Sequence, residues 1–124
     1  MTAIPPDRTE LLETSLIETA IEAWKFSRTF ARAVNRLDIG EQPRYASQLR
    51  YFQKRVGEQL ESCGLKIVNV EGQLFEPGLA ASAVNIADFG ANDALLVEQM
   101  LEPIVMGDNG LKRAGIVVLR KAHL

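Results

Sequence analysis

The stretch ESCGLKIVNVEGQLFEPGL, residues 61–79, decides the fold, because the period of the apolar residues changes inside it. Gly64 supplies the left-handed position that ends a helix, with Leu65 as its apolar follower. Leu65 to Val70 is rich in branched apolar residues and reads as a strand. Glu71-Gly72 allows a tight turn into Gln73-Leu74-Phe75, and Pro77 stiffens the chain just beyond. The expectation is an α+β chain that is helical before Gly64 and β-rich after it.

Working back from Gly64, a helix is expected from about Pro43 to Cys63, with Tyr45, Leu49, Phe52, Val56 and Leu60 on one side. Gly57 weakens it by ~1 kcal/mol relative to Ala, so close approach of a neighbouring helix is the expected reason for its presence. Ahead of it, Asp7 to Leu37 reads as one long amphipathic helix. Asp7 and Glu10 have capping-box spacing, and Pro6 stands just before them. Leu16, Ala20, Ala23, Ser27, Phe30, Val34 and Leu37 alternate steps of four and three along a single stripe. Ile17, Ile21, Trp24 and Ala31 widen that face beyond what one partner helix covers. A helical hairpin that dimerises as a four-helix bundle through Trp24, Phe30, Val34 and Leu37 is therefore expected. The organisation reads as a tail over residues 1–6, a helical dimerisation region over 7–63 and a β-lobe over 64–122.

Downstream, apolar runs at Ile104 to Met106 and Ile116 to Leu119 are separated by Gly107-Asp108-Asn109-Gly110. Asn-Gly tolerates the positive φ angles of a type I′ turn, which makes this a hairpin signal. Leu95 to Leu101 fits a strand or a short helix, and its periodicity does not choose between them.

The composition is 47% hydrophobic and 24% charged with a net charge of −2, which describes an ordinary globular chain. A slightly acidic chain is not drawn as a whole to nucleic acid or to a membrane surface. The N-terminal residues lack the pattern of a signal peptide, and no apolar run has the length of a membrane span. One cysteine, Cys63, suits a reducing compartment. A soluble cytoplasmic protein is expected.

The residues for enzyme chemistry are sparse. His123 is the single histidine and stands next to the chain end. Without a second His or Cys no zinc set can be composed, and no calcium loop or P-loop spacing occurs. Cys63 falls in a helix's last turn, where the dipole disfavours a thiolate. Neither catalysis, a metal nor a cofactor is expected. The salient charge feature is a basic stripe of Lys25, Arg28, Arg32 and Arg36, which Arg44, Arg50, Lys54 and Arg55 extend. Glu10, Glu13, Glu18 and Glu22 crowd the start of the same helix. Three readings stand open: complementarity to the helix dipole, a docking surface for an acidic protein, and nucleic-acid contact, the last without the interleaved aromatics that it calls for.

Gly64-Leu65-Lys66-x-Val68, Gly72-x-x-Phe75-Glu76-Pro77, Val97-Glu98-x-Met100, Asn109-Gly110 and Arg113-x-x-x-Val117-x-Leu119 follow one another along the chain. This succession resembles the C-terminal β-domain of GrpE, the nucleotide exchange factor of DnaK-type heat-shock chaperones. The helix pair before it looks like the short helices with which GrpE forms a dimeric four-helix bundle. The resemblance implies a homodimeric co-chaperone that promotes ADP release and has no catalytic residues of its own. It also implies a docking face for the chaperone's nucleotide-binding domain, with Phe75, Pro77, Met100 and Leu119 at matched positions. Arg113 matches the arginine of the last strand. Phe75 reads either as a preorganised apolar anchor or as a plain core residue. Where the family carries Arg after Asn-Gly, this chain has Leu111 with Lys112 beside it. The alternative implication is an assembly module that keeps the fold without exchange activity.

Overall fold

A computed structural model describes residues 7–123, and the expected tail over residues 1–6 lies outside them. Among the described residues the order is α1 (Arg8–Val34), α2 (Gln42–Glu61), β1 (Leu65–Val68), β2 (Ala81–Ala83), a 3-10 turn at Ile86–Asp88, β3 (Leu95–Glu102), β4 (Ile104–Gly107), β5 (Gly110–Arg113) and β6 (Gly115–Lys121). The class is α+β. The chain divides into two compact units, one ending at Leu60 and one beginning at Glu61.

In the helical unit, α1 has 27 residues and is about 40 Å long at ~1.5 Å per residue. Asp7 occupies its N-cap, but its side chain makes no capping hydrogen bond, so the expected capping box does not form. The buried residues of α1 are Ile17, Ala20, Ile21, Ser27 and Val34. Ser27 is tolerated there because its hydroxyl donates to the Ala23 carbonyl at 2.8 Å. α1 ends before Leu37, and Gln42 closes the connection by donating from Nε2 to the Leu37 carbonyl at 2.8 Å. That side chain satisfies a carbonyl that the end of a helix leaves open. Phe30 borders Tyr45 in one groove and Leu49 in another, while Phe26 borders Phe52. Positions on α2 thus fall as positions on α1 rise, and the two helices form an antiparallel hairpin.

Gly57 does not mark a close helix approach. A Cβ built there would meet nothing within 4 Å.

In the β unit the strands form two three-stranded sheets, ordered β1-β4-β5 and β2-β6-β3. β6 is the central strand of the second sheet, parallel to β2 and antiparallel to β3. Along it Gly115, Val117 and Leu119 are buried, alternating with half-buried Ile116 and Val118, as a strand flanked on both edges requires. β3 is a strand rather than a helix. Its register against β6 shifts between Val97 and Gln99 and again between Met100 and Glu102. The first bulge puts Leu95, Val97 and Met100 on the buried side with uneven spacing, which hides the two-residue period. Gly64 takes φ 73°, as the helix-ending position requires.

A hairpin forms at the expected turn, but its second arm is β5 (Gly110–Arg113) rather than the Ile116–Leu119 run, which belongs to β6 in the other sheet, and the turn differs from type I′. Among the described residues only glycines have positive φ, and Gly110, at φ 122°, carries the unusual conformation in place of Asn109. The core of this unit gathers Leu65, Val70, Val97, Met100, Val105, Val117 and Leu119.

Two glycines give opposite expectations. Gly57→Ala should stabilise the protein by roughly 0.5–1 kcal/mol, because the helix gains propensity and nothing obstructs the methyl. Gly115→Ala should destabilise by about 1–3 kcal/mol, since its Cβ would lie 2.9 Å from Met100 Cε, 3.0 Å from Ile104 Cγ1 and 3.1 Å from the Glu102 carbonyl oxygen. Urea unfolding of both variants checks the signs.

Candidate functional site

Residues 72–79 build the most distinctive surface of the β unit. The chain leaves β1 through Asn69, whose Oδ1 accepts the Glu71 N–H at 2.8 Å. Gly72, at φ 85°, reverses direction. The segment then runs along the outer edge of β3. The Gly72 N–H donates to the Val97 carbonyl at 2.8 Å, the Val97 N–H to the Gln73 carbonyl at 2.9 Å, and the Phe75 N–H to the Leu95 carbonyl at 2.9 Å. Leu74 bridges to Leu96. Immediately beyond, the Leu79 N–H closes a four-residue turn on the Glu76 carbonyl at 3.1 Å. Pro77 at its second position and Gly78 at its third, φ 95°, are the residues that a type II turn asks for. The aromatic and the proline are thus held on a rigid corner.

The five candidates in the β unit separate by exposure. Pro77 is exposed, and Phe75 and Arg113 are half-buried. Arg113 stands at the end of β5, opposite Val105 on the neighbouring strand β4 of the β1-β4-β5 sheet. Met100 is 1% and Leu119 2% exposed, so neither side chain offers an anchor to a partner. For these two the docking expectation is corrected, because their roles are internal. The Met100 N–H donates to Glu71 Oε2 at 2.8 Å, and its sulfur accepts the Val70 N–H at 3.3 Å. Leu119 has its backbone N–H and carbonyl both bonded to the Asn85 amide at 2.9 Å. Sequence reasoning passed over Leu74, which is 51% exposed beside Phe75. Its signal was alternation: next to a half-buried residue on an extended segment, the neighbour faces the other way.

In the helical unit Arg28 stacks on Trp24, its guanidinium 4.7 Å from the ring centroid. Arg32 is exposed and donates from Nη2 to Thr29 Oγ1 at 3.3 Å, and Arg36 is exposed in the turn after α1. The seam expected from Trp24, Phe30, Val34 and Leu37 is not one face. Val34 is buried inside the chain, Trp24 and Phe30 are half-buried, and Leu37 is exposed. Val34 is therefore removed from the surface that a second molecule could touch. Phe30 stacks on Phe26 with centroids 6.0 Å apart, and Phe26, absent from the expected seam, is 62% exposed.

Among the described residues no group of three His, Cys, Asp or Glu is placed to hold a metal ion, and no helix is long and apolar enough to cross a membrane. Comparison with protein-family models, curated proteins and solved structures gives no match.

The burial pattern fixes an ordering of substitutions. Met100→Ala should cost about 2–5 kcal/mol through the cavity it leaves. Leu74→Ala should stay within about 0.5 kcal/mol of the parent protein. Thermal melts that placed the two variants together would contradict this assignment.

Proposed function

We propose that this chain is a GrpE-like co-chaperone that promotes ADP release from a DnaK-type chaperone ATPase. The observation that carries the reading is the rigid corner at Glu76–Leu79, which presents Pro77 beside half-buried Phe75 and exposed Leu74. A turn set by Pro77 and Gly78 loses little entropy on docking, so apolar side chains fixed to it suit an anchor. The helical hairpin followed by a β-rich unit that carries the matched motifs in order supports the same reading. In that mechanism the protein binds an open form of the ATPase lobe more tightly than the closed form, and ADP leaves by population shift. No bond of the nucleotide is made or broken. The working form is a homodimer through the helices, in the cytoplasm, needing neither cofactor nor metal.

A second reading, an assembly module without exchange activity, is favoured by one observation. Two of the four matched apolar positions, Met100 and Leu119, lie in the core and leave a smaller anchor.

Release of fluorescent ADP from a DnaK-type chaperone of the same cell separates the two. Exchange activity requires faster release in the presence of the protein. It also requires reciprocal antagonism: if ADP weakens binding of the protein tenfold, about 1.4 kcal/mol, the protein weakens ADP tenfold. Phe75→Ala combined with Leu74→Ala should reduce binding. Tight binding with unchanged ADP release leaves the assembly module standing, and absence of binding rejects the chaperone partnership.

A further inference from the structure

α2 has 20 residues, of which Leu60 alone is buried. Tyr45, Leu49 and Phe52 turn toward the grooves that α1 helps to line. By helical position Arg44, Ser47, Tyr51 and Arg55 run in steps of three and four along the side turned away from these three, with Arg50 and Lys54 next to them. All six are exposed. The aromatic side chain that nucleic-acid contact calls for is therefore present on a basic row. Tyr51 is 67% exposed, and Ser47, Lys54 and Arg55 stand three or four positions from it, where side chains meet on a helix surface.

Charge on this row has one sign. From Arg44 to Gly57 the chain holds four cations and neither Asp nor Glu, although the protein as a whole has a net charge of −2. The next residue, Glu58, brings Oε1 to 3.8 Å from Arg55 Nη1, an exposed pair too weak to withdraw Arg55 from another anion. The Arg44 guanidinium stands 5.6 Å from the centroid of the Tyr45 ring, and a guanidinium stacked on a ring can still donate from its edge. Because the two helices are antiparallel, exposed Arg32 and Arg36 at the end of α1 add positive potential at the same end of the hairpin.

We propose that this face of α2 binds single-stranded nucleic acid. The cations take the phosphates and Tyr51 stacks on a base. From Arg44 to Arg55 the row is about 16 Å long at ~1.5 Å per residue, which spans roughly five stacked nucleotides at ~3.4 Å each. The exposed ring decides between polyanions. An acidic protein segment satisfies the cations but brings no planar face to Tyr51, whereas every base has one. A duplex keeps those faces inside its stack, so the ring selects a single strand. The acidity of the rest of the chain does not oppose this, because exposed charges more than ~10 Å away are largely screened at 0.1 M salt. The face belongs to the helical unit and does not rest on the co-chaperone reading.

Fluorescence anisotropy of the full chain with a labelled oligodeoxythymidylate of about 16 nucleotides tests the face. Binding should weaken with salt, the slope of log K against log salt lying near about −3, from roughly −0.7 for each of four phosphate contacts. Arg50→Gln with Lys54→Gln should cut that slope by about half. Tyr51→Ala should lower the affinity about tenfold with the slope unchanged, and Tyr51→Phe should restore it. All three positions are exposed, and far-UV circular dichroism checks that the variants stay folded. Absence of binding at about 50 mM salt overturns the proposal. Equal affinity for polyglutamate of matched length overturns it in favour of an acidic protein. Equal affinity for the same strand in a duplex overturns the single-strand assignment, and an unchanged affinity in Tyr51→Ala overturns the stacking.

Discussion

The β unit depends on Met100 being buried. Its N–H is fixed by the Glu71 carboxylate, its sulfur receives the Val70 N–H, and its terminal methyl lies against Gly115, where even a Cβ would not fit. One side chain therefore ties the exit of β1 to β3 and to the central strand β6. Because Glu71 is held there, Gly72 can reverse the chain next to Val97, and the segment to Phe75 can lie along β3. The exposed corner at Pro77 inherits its position from a residue with almost no surface.

The α+β class was legible because the apolar period changes at Gly64 and the glycine itself adopts the helix-ending conformation. The hairpin between β4 and β5 was legible from Asn109-Gly110, although the positive φ settled on the glycine. β3 was ambiguous for a physical reason: a bulge moves Met100 onto the buried side, and sequence carries no mark of where a ladder slips. β2 was invisible. Ala81-Ser82-Ala83 lacks branched side chains, and it pairs because β6 supplies a parallel edge.

The helix faces teach a different lesson. A stripe through Leu16, Ala20, Ala23, Ser27, Phe30, Val34 and Leu37 satisfies the helical period, yet it crosses from a buried face to one that is not buried. Ala20, Ser27 and Val34 are buried within the chain, while Leu16, Ala23, Phe30 and Leu37 are not. When most of a helix's circumference is apolar, several stripes satisfy the same arithmetic, and only three-dimensional burial separates them. Gly57 misled in a related way, since a weak helix former in mid-helix suggested a neighbour that is not there.

The edges of the mixed sheet have a consequence of their own. An open strand edge carries unpaired peptide groups that can recruit another chain into a growing aggregate. β2 limits this exposure by being only three residues long. β3 is more than twice that length, and the segment from Gly72 to Phe75 lies along its outer edge and occupies the peptide groups of Leu95 and Val97. The segment that carries the exposed apolar residues is thus also a guard strip. Loosening it would bare the edge of the longest strand of the sheet, so the cover on that edge and the placement of Leu74 and Phe75 draw on the same few hydrogen bonds.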